Sequence, residues 1–249
     1  MCRRSIWAAP QLQIPLMLEL ESIHSFYGRA HILNGVSLHV AAGEVVALLG
    51  RNGAGKSTTM KSAMGLVRAQ TGYVRFDGDD ITRWSPHRIC SAGLGYVPED
   101  RRVFAALSVD ENLEVGRQAA REGLPPWTHE RLFELFPNLG RMRDRPGGQM
   151  SGGEQQMLTI ARTLMGNPKL VLLDEPSEGL APVIVDQMAE VITALKAQGL
   201  AVVLSEQNVQ FATRVADRAY IIETGEIRHE CTVAELERDE TLRKQYLSV

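Results

Sequence analysis

Residues Gly50-Arg51-Asn52-Gly53-Ala54-Gly55-Lys56-Ser57 have the form G-x-x-x-x-G-K-[ST]. Glycines at these places let backbone N–H groups curl round an anion, and a helix starting at the end of the loop adds its positive dipole end. A lysine in that position neutralises phosphate charge, and the next hydroxyl suits a hard cation such as Mg²⁺. The chemistry implied is binding of a nucleoside triphosphate. Gly50, Arg51, Asn52, Gly53, Ala54, Gly55, Lys56, Ser57 and Thr58 would form the cradle. A second stretch, Leu170-Val171-Leu172-Leu173-Asp174-Glu175-Pro176, is an apolar run ending in two carboxylates. Asp174 is placed to hold the Mg²⁺ shell and Glu175 to take a proton from an attacking water. Alone, the first motif could be a glycine turn and the second a solvated acidic turn. Together they point to hydrolysis of the bound triphosphate. A third stretch, Met150-Ser151-Gly152-Gly153-Glu154, has capping-box spacing between Ser151 and Glu154, so a helix should begin there. Two glycines at its start make a second anion site.

These residues need elements to hold them. Val45 to Leu49 is a continuous apolar run, as in a strand buried on both faces of a parallel sheet. Met60, Ala63, Met64 and Val67 have helical spacing, which predicts a helix over Lys56 to Arg68. Val36, Leu38 and Val40 alternate ahead of the turn Ala42-Gly43, and Tyr73 to Phe76 reads as a short strand closed by Asp77-Gly78. From about 100 to 165 the pattern is helical, with loops at Gly123 to Pro126 and Pro146 to Gly148. Ser108 and Glu111 form another capping-box pair. After Pro168 the alternation resumes, with a strand at Leu170 to Leu173, a helix at Val183 to Gln198 and a strand at Ala201 to Leu204. The fold expected is an α/β core of mostly parallel strands, interrupted by a helical insert over about 100–165.

Composition narrows the class. The 249 residues carry 27 Lys and Arg against 30 Asp and Glu, a net charge of −3, which argues against a nucleic-acid binder. The three cysteines, Cys2, Cys90 and Cys231, are odd in number and far apart, so no disulfide framework is expected. Ile6 to Leu20 is interrupted by Pro10, Gln11, Gln13 and Pro15, too broken for a membrane span or a secretory h-region. Residues 1–16 read as a disordered extension, with Met17 as the natural start, and 17–249 as one domain. The methionines, Met157 and Met165 among them, read as core filler. The cysteines have no adjacent base that would make them nucleophiles.

The three motifs, in the order Lys56, Ser151, Asp174, resemble the ATP-binding subunit of an ATP-binding-cassette (ABC) transporter. The resemblance covers about Leu18 to Val249. It implies a P-loop NTPase core of the ABC-ATPase type, with N-terminal antiparallel strands and an α-helical insert subdomain. It also implies ATP and Mg²⁺ as ligands and a head-to-tail dimer with a second ATP-binding subunit. In such a dimer Ser151, Gly152, Gly153 and Glu154 of one subunit cap the nucleotide held by the other. Tyr27 stands where the family stacks an aromatic ring on adenine, although it also fits as an ordinary strand aromatic. By the same resemblance Glu99 joins Ser57 and Asp174 as a metal ligand, and Gln207 joins Lys56 and Glu175 in catalysis.

Three positions depart from the general family pattern. Glu99 stands where Gln is usual, and a carboxylate can still ligate Mg²⁺. Gln207 stands where His is usual; it can donate to a phosphate oxygen but cannot become cationic. Leu180, within Ser177-Glu178-Gly179-Leu180-Ala181-Pro182, replaces an Asp, so the cross-dimer contact there must be made differently. With Val97 to Phe104 and Glu206-Gln207-Asn208, these features resemble the ATPase subunits of branched-chain amino-acid importers. Close kin serve urea or short amides, and lipopolysaccharide-export ATPases are also similar. A soluble ABC ATPase outside transport is a further alternative, but one usually carrying two cassettes or long coiled coils. The implied partners are membrane permease subunits and, through them, a periplasmic solute-binding protein. The implied place is peripheral, on the cytoplasmic face of the inner membrane, in a homodimer or, as is common among these importers, a heterodimer. Val103, Phe104 and Leu107 lie where the family receives its permease, or else pack within the insert.

Overall fold

The computed structural model describes residues 15–121 and 125–247. The extension expected over 1–16 lies outside these residues except for Pro15 and Leu16, as do Gly123 and Leu124 of the expected loop. The chain enters an antiparallel sheet formed by β1 (Leu16–Tyr27), β2 (Ala30–Ala41), β4 (Ala69–Phe76) and β5 (Asp79–Asp80), in the order β2-β1-β4-β5. Leu16 already pairs with Ala41. Between β2 and β4 the chain crosses to a second sheet through β3 (Val45–Leu49) and returns along helix α1 (Lys56–Ala63). Helix α1 is shorter than its apolar spacing predicts. The chain turns at Met64-Gly65, whose N–H groups bond Met60 and Ser62 carbonyls.

After α2 (Pro86–Ala92) comes β6 (Leu94–Val97), then the insert: α3 (Val109–Gly116), α4 (His129–Leu135), α5 (Pro137–Gly140) and α6 (Gly152–Leu164). Both capping boxes form, at Ser108 with Glu111 and at Ser151 with Glu154. The second half runs β7 (Leu170–Asp174), α7 (Pro182–Ala197), β8 (Ala201–Glu206), α8 (Val209–Val215), β9 (Arg218–Glu223), β10 (Glu226–Thr232), α9 (Val233–Arg238) and α10 (Glu240–Leu247).

The second sheet has the order β10-β9-β3-β8-β7-β6, parallel throughout except for the β9–β10 hairpin. Its central strands β3, β7 and β8 are buried on both faces because each face meets a different core. Val45, Ala47 and Leu49 of β3 pack with the insert and with α7, α8 and α9. Val46 and Leu48 pack with the first sheet and α1. The same alternation runs through β7 and β8, with Val171, Leu173, Val202 and Leu204 on one side and Leu170, Leu172, Ala201 and Val203 on the other. The carboxyl ends of β3, β8 and β7 therefore lie side by side on one edge, where open α/β sheets bind ligands.

Candidate active site

The loop after β3 is shaped by close packing. A Cβ on Gly50 would lie 2.4 Å from the carbonyl oxygen of Ile222, so only glycine lets the loop leave β3 beside β9. The loop closes with Ala54 N–H donating to Arg51 O, and α1 begins at Lys56. The Lys56 ammonium is buried beneath it. It donates to Gly50 O at 2.8 Å and Arg51 O at 3.2 Å, and pairs with Glu175 Oε1 at 3.0 Å. An ammonium has three protons, and all three are used.

At the end of β7, Asp174 is 1% exposed and accepts three hydroxyls. Ser57 Oγ and Ser205 Oγ donate to its Oδ1 at 3.0 and 2.7 Å, and Tyr96 OH donates to its Oδ2 at 2.9 Å. Burial, then the Asp174 charge and that hydrogen bond, push the Tyr96 phenol well up, so it stays a donor. Glu175 follows with φ 49, a left-handed conformation rare for a residue with a side chain. Its N–H is held by Ser205 O at 3.1 Å and Ser205 Oγ at 3.0 Å. Burial raises the Glu175 carboxyl, but hydrogen bonds from Gln207 and Lys56 and the Lys56 charge outweigh it and hold it below its ordinary value. Gln207 Nε2 donates to Glu175 Oε2 at 3.0 Å and to Asn52 Oδ1 at 2.7 Å.

Tyr27, Ile32, Asn52, Gly53, Gly55, Lys56, Ser57, Thr58, Glu99 and Glu175 line one open cleft of about 330 Å³. Tyr27, one of these lining residues, is 49% exposed. Glu99, Glu175 and Glu178 are close enough that Glu178 is pushed above its ordinary value, first by burial and then by the Glu175 charge. Ser57 and Glu99 line the cleft and Asp174 lies behind Ser57, which donates to it; their hydroxyl and carboxylate oxygens are the hard donors that Mg²⁺ takes. These residues fit that ion.

Ser151, Gly152, Gly153 and Glu154 do not line the cleft. They start α6 elsewhere, with Gly153 against Ile184 of α7 and Gly152 against the Arg101 guanidinium. Arg101 in turn donates to the carbonyl of Glu178. Phe104 is 47% exposed with the Arg162 guanidinium 4.9 Å from its ring centre, whereas Val103 packs on the insert core. Four residues of the site escaped sequence reasoning: Tyr96, Ser205, Glu206 and Arg101.

A family profile described as ABC transporter matches residues 33–178. The chain belongs to the ABC transporter family. Over 93% of its length it is 42% identical to 99% of the high-affinity branched-chain amino acid transport ATP-binding protein BraG of Pseudomonas aeruginosa. It is 37% identical to the lipopolysaccharide export system ATP-binding protein LptB of Haemophilus influenzae, over 93% of this chain and 97% of that one. Among solved structures, the ADP conformation of MJ1267, an ATP-binding cassette of an ABC transporter, superposes with a TM-score of 0.78 at 27% identity. That match covers 92% of this chain and 98% of MJ1267. The cassette is thus an ATPase coupled to transport; the similar cassette MJ1267 binds ADP, and MJ0796, a bacterial ABC transporter cassette, is dimeric. Among the described residues no helix is long and apolar enough to cross a membrane.

Proposed function

We propose that this chain is the ATP-hydrolysing subunit of an importer of branched-chain amino acids. The observation that carries the hydrolysis is the Lys56–Glu175 pair at 3.0 Å, which sets a phosphate-binding ammonium and a general base against each other across one cleft. ATP enters with adenine on Tyr27 and its phosphates along Gly50 to Thr58. Its γ-phosphate takes the place of the Glu175 carboxylate on Lys56. Glu175, released, accepts a proton from the attacking water on a carboxylate oxygen, and Gln207 turns its amide N–H from Asn52 and Glu175 to a γ-phosphate oxygen. Ser57, Asp174 and Glu99 would hold Mg²⁺, which neutralises charge on the β- and γ-oxygens. In-line attack by water needs positioning and charge neutralisation more than covalent chemistry, and that is what this inventory supplies.

The cap on the γ-phosphate comes from Ser151 to Glu154 of a second subunit, arranged head to tail, because these residues lie outside their own cleft. The residues from β1 onward act as one ATPase domain whose insert, about 100–165, passes closure to the permease. The subunit sits peripherally on the cytoplasmic face of the inner membrane, below permease subunits fed by a periplasmic solute-binding protein. Branched-chain amino acids are favoured by the near full-length identity to BraG, together with Glu99, Gln207 and the Ser177 to Pro182 loop. Likeness to LptB keeps lipopolysaccharide export as a second reading, against which Glu99 and Gln207 stand. The test is reconstitution with branched-chain amino-acid permease subunits. ATP-dependent uptake of labelled leucine, isoleucine or valine into vesicles is expected. ATP turnover that responds to lipopolysaccharide and drives no amino-acid uptake would overturn the cargo.

A further inference from the structure

Glu206, the last residue of β8, is 2% exposed. Its Oε1 accepts the N–H of Ser177 at 3.0 Å and its Oε2 the N–H of Asn208 at 3.3 Å. The Ser177 side chain also hydrogen-bonds to it, none of these partners is charged, and the charge of Glu175 that acts on it has the same sign. Burial outweighs these hydrogen bonds and pushes the carboxyl above its ordinary value. Burying a carboxylate in this way is costly, and a residue that only filled the space would be apolar.

The two N–H groups belong to different loops. Ser177 lies within the turn that carries Glu175, which the Glu178 N–H closes on Glu175 O, and Asn208 follows Gln207. Glu175 is held left-handed, a conformation that persists only where the surroundings over-determine it. The end of β8 does this with consecutive residues: Ser205 holds the Glu175 N–H, Glu206 holds the Ser177 N–H, and Gln207 holds the Glu175 carboxylate. Register makes this possible, since Ser205 pairs with Asp174 on β7 and Glu206 with Leu49 on β3.

We propose that Glu206 is a positioning residue for ATP hydrolysis, its two carboxylate oxygens stapling the turn that carries Glu175 to the loop that carries Gln207. Base and γ-phosphate contact then meet the substrate as one body. The proposal rests on the hydrolysis reading above. Only a carboxylate offers an acceptor on both prongs. An amide points its NH₂ at one of the two N–H groups, and alanine satisfies neither.

The test uses the full chain and the variants Glu206→Ala and Glu206→Gln, with amide hydrogen exchange and steady-state ATPase as readouts. In Glu206→Ala the Ser177 and Asn208 amides should exchange at least about tenfold faster. In Glu206→Gln, which keeps one acceptor and guards against a variant that fails to fold, only the Asn208 amide should do so. The kcat of Glu206→Ala should fall at least about tenfold, with the KM for ATP and the Mg²⁺-free ATP affinity within about twofold, since the staple touches no substrate. Glu206→Gln should lie between. Unchanged exchange at Ser177 overturns the staple and leaves the hydrolysis reading intact. Faster exchange with unchanged kcat overturns the catalytic role, as does a parallel loss of kcat and affinity. A parent chain that turns over no ATP sinks the hydrolysis reading and the positioning role with it.

Discussion

Replacing Glu175 by Gln should make the cassette bind ATP more tightly while nearly abolishing its turnover. The Lys56 ammonium spends its three protons on Gly50 O, Arg51 O and Glu175 Oε1, so a phosphate oxygen must displace one of them. At 3.0 Å and an effective dielectric of about 20 the bare Lys56–Glu175 attraction is about 5.5 kcal/mol, most of it cancelled by desolvation. What the variant changes is a charge-assisted hydrogen bond, worth about 1.5–3 kcal/mol net, for a neutral one worth about 0.5–1.5. The difference, about 1–1.5 kcal/mol, corresponds to roughly a five- to twelvefold gain in ATP affinity. Relief of repulsion between Glu175 and the γ-phosphate adds in the same direction. Affinity is best measured by calorimetry without Mg²⁺, where neither protein turns over. Phosphate release with Mg²⁺ should then fall by about 10²–10⁴, the usual contribution of a general base. Equal or weaker ATP binding would refute the competition between Glu175 and phosphate. Turnover within about threefold of the parent would remove Glu175 as the base. The pair also has a pH signature. Because the folded carboxyl lies below its ordinary value, its stabilisation is complete above that ordinary value and is lost as pH falls through the depressed one. Glu175→Gln should therefore flatten the acid limb of the stability profile.

Three further outcomes are expected. Lys56→Ala should weaken ATP binding by at least about a hundredfold and leave the Glu175 carboxylate buried without its cation, which calorimetry and thermal melts would register together. Tyr96→Phe removes one of three donors to Asp174; a loss of about 1–2 kcal/mol, read as a fall of about 2–8 °C in Tm, is expected with ATP affinity in the absence of Mg²⁺ unchanged. Burial, with Glu235, Glu230 and Asp239 nearby, pushes the Cys231 thiol up to about 11, while Cys90 is exposed. At pH 8 roughly one Cys231 thiol in 10³ is ionised, so peptide mapping after iodoacetamide treatment should find Cys90 modified and Cys231 not. The sign for stability is opposite to that of Glu175: the Cys231 contribution is intact below the ordinary thiol value and lost as pH rises through about 11.

What could be read from the sequence was contiguous. The loop from Gly50 to Ser57, the acidic end of β7 and the capping boxes at Ser108 and Ser151 each need only a few consecutive residues, and each forms as its spacing predicts. Strand β1 was hidden because register shifts at Leu16/Leu18 and Leu20/Ile23 break the two-residue alternation that marks a half-buried strand. Tyr96, Ser205 and Glu206 were hidden for another reason. Their roles exist only because the sheet order sets β7 between β6 and β8, and β8 beside β3, and no local pattern encodes which strands become neighbours. Arg101 is a similar case. Its link from Glu178 to Gly152 joins three segments far apart in the chain, close to where Leu180 has replaced the aspartate general to the family.

The start of α6 turns away from the cleft of its own chain, and this has a genetic consequence. If two copies of this chain pair head to tail, each composite site draws its loop from one copy and its cap from the other. A copy crippled at Lys56 and a copy crippled at Ser151 are each inert alone, since every site in either homodimer lacks one half. Mixed in one cell, they would assemble dimers in which both defects fall in the same site and the other site is whole. Interallelic complementation between such alleles, and its absence between two alleles that both alter the loop from Gly50 to Ser57, would reveal the pairing in a growth assay.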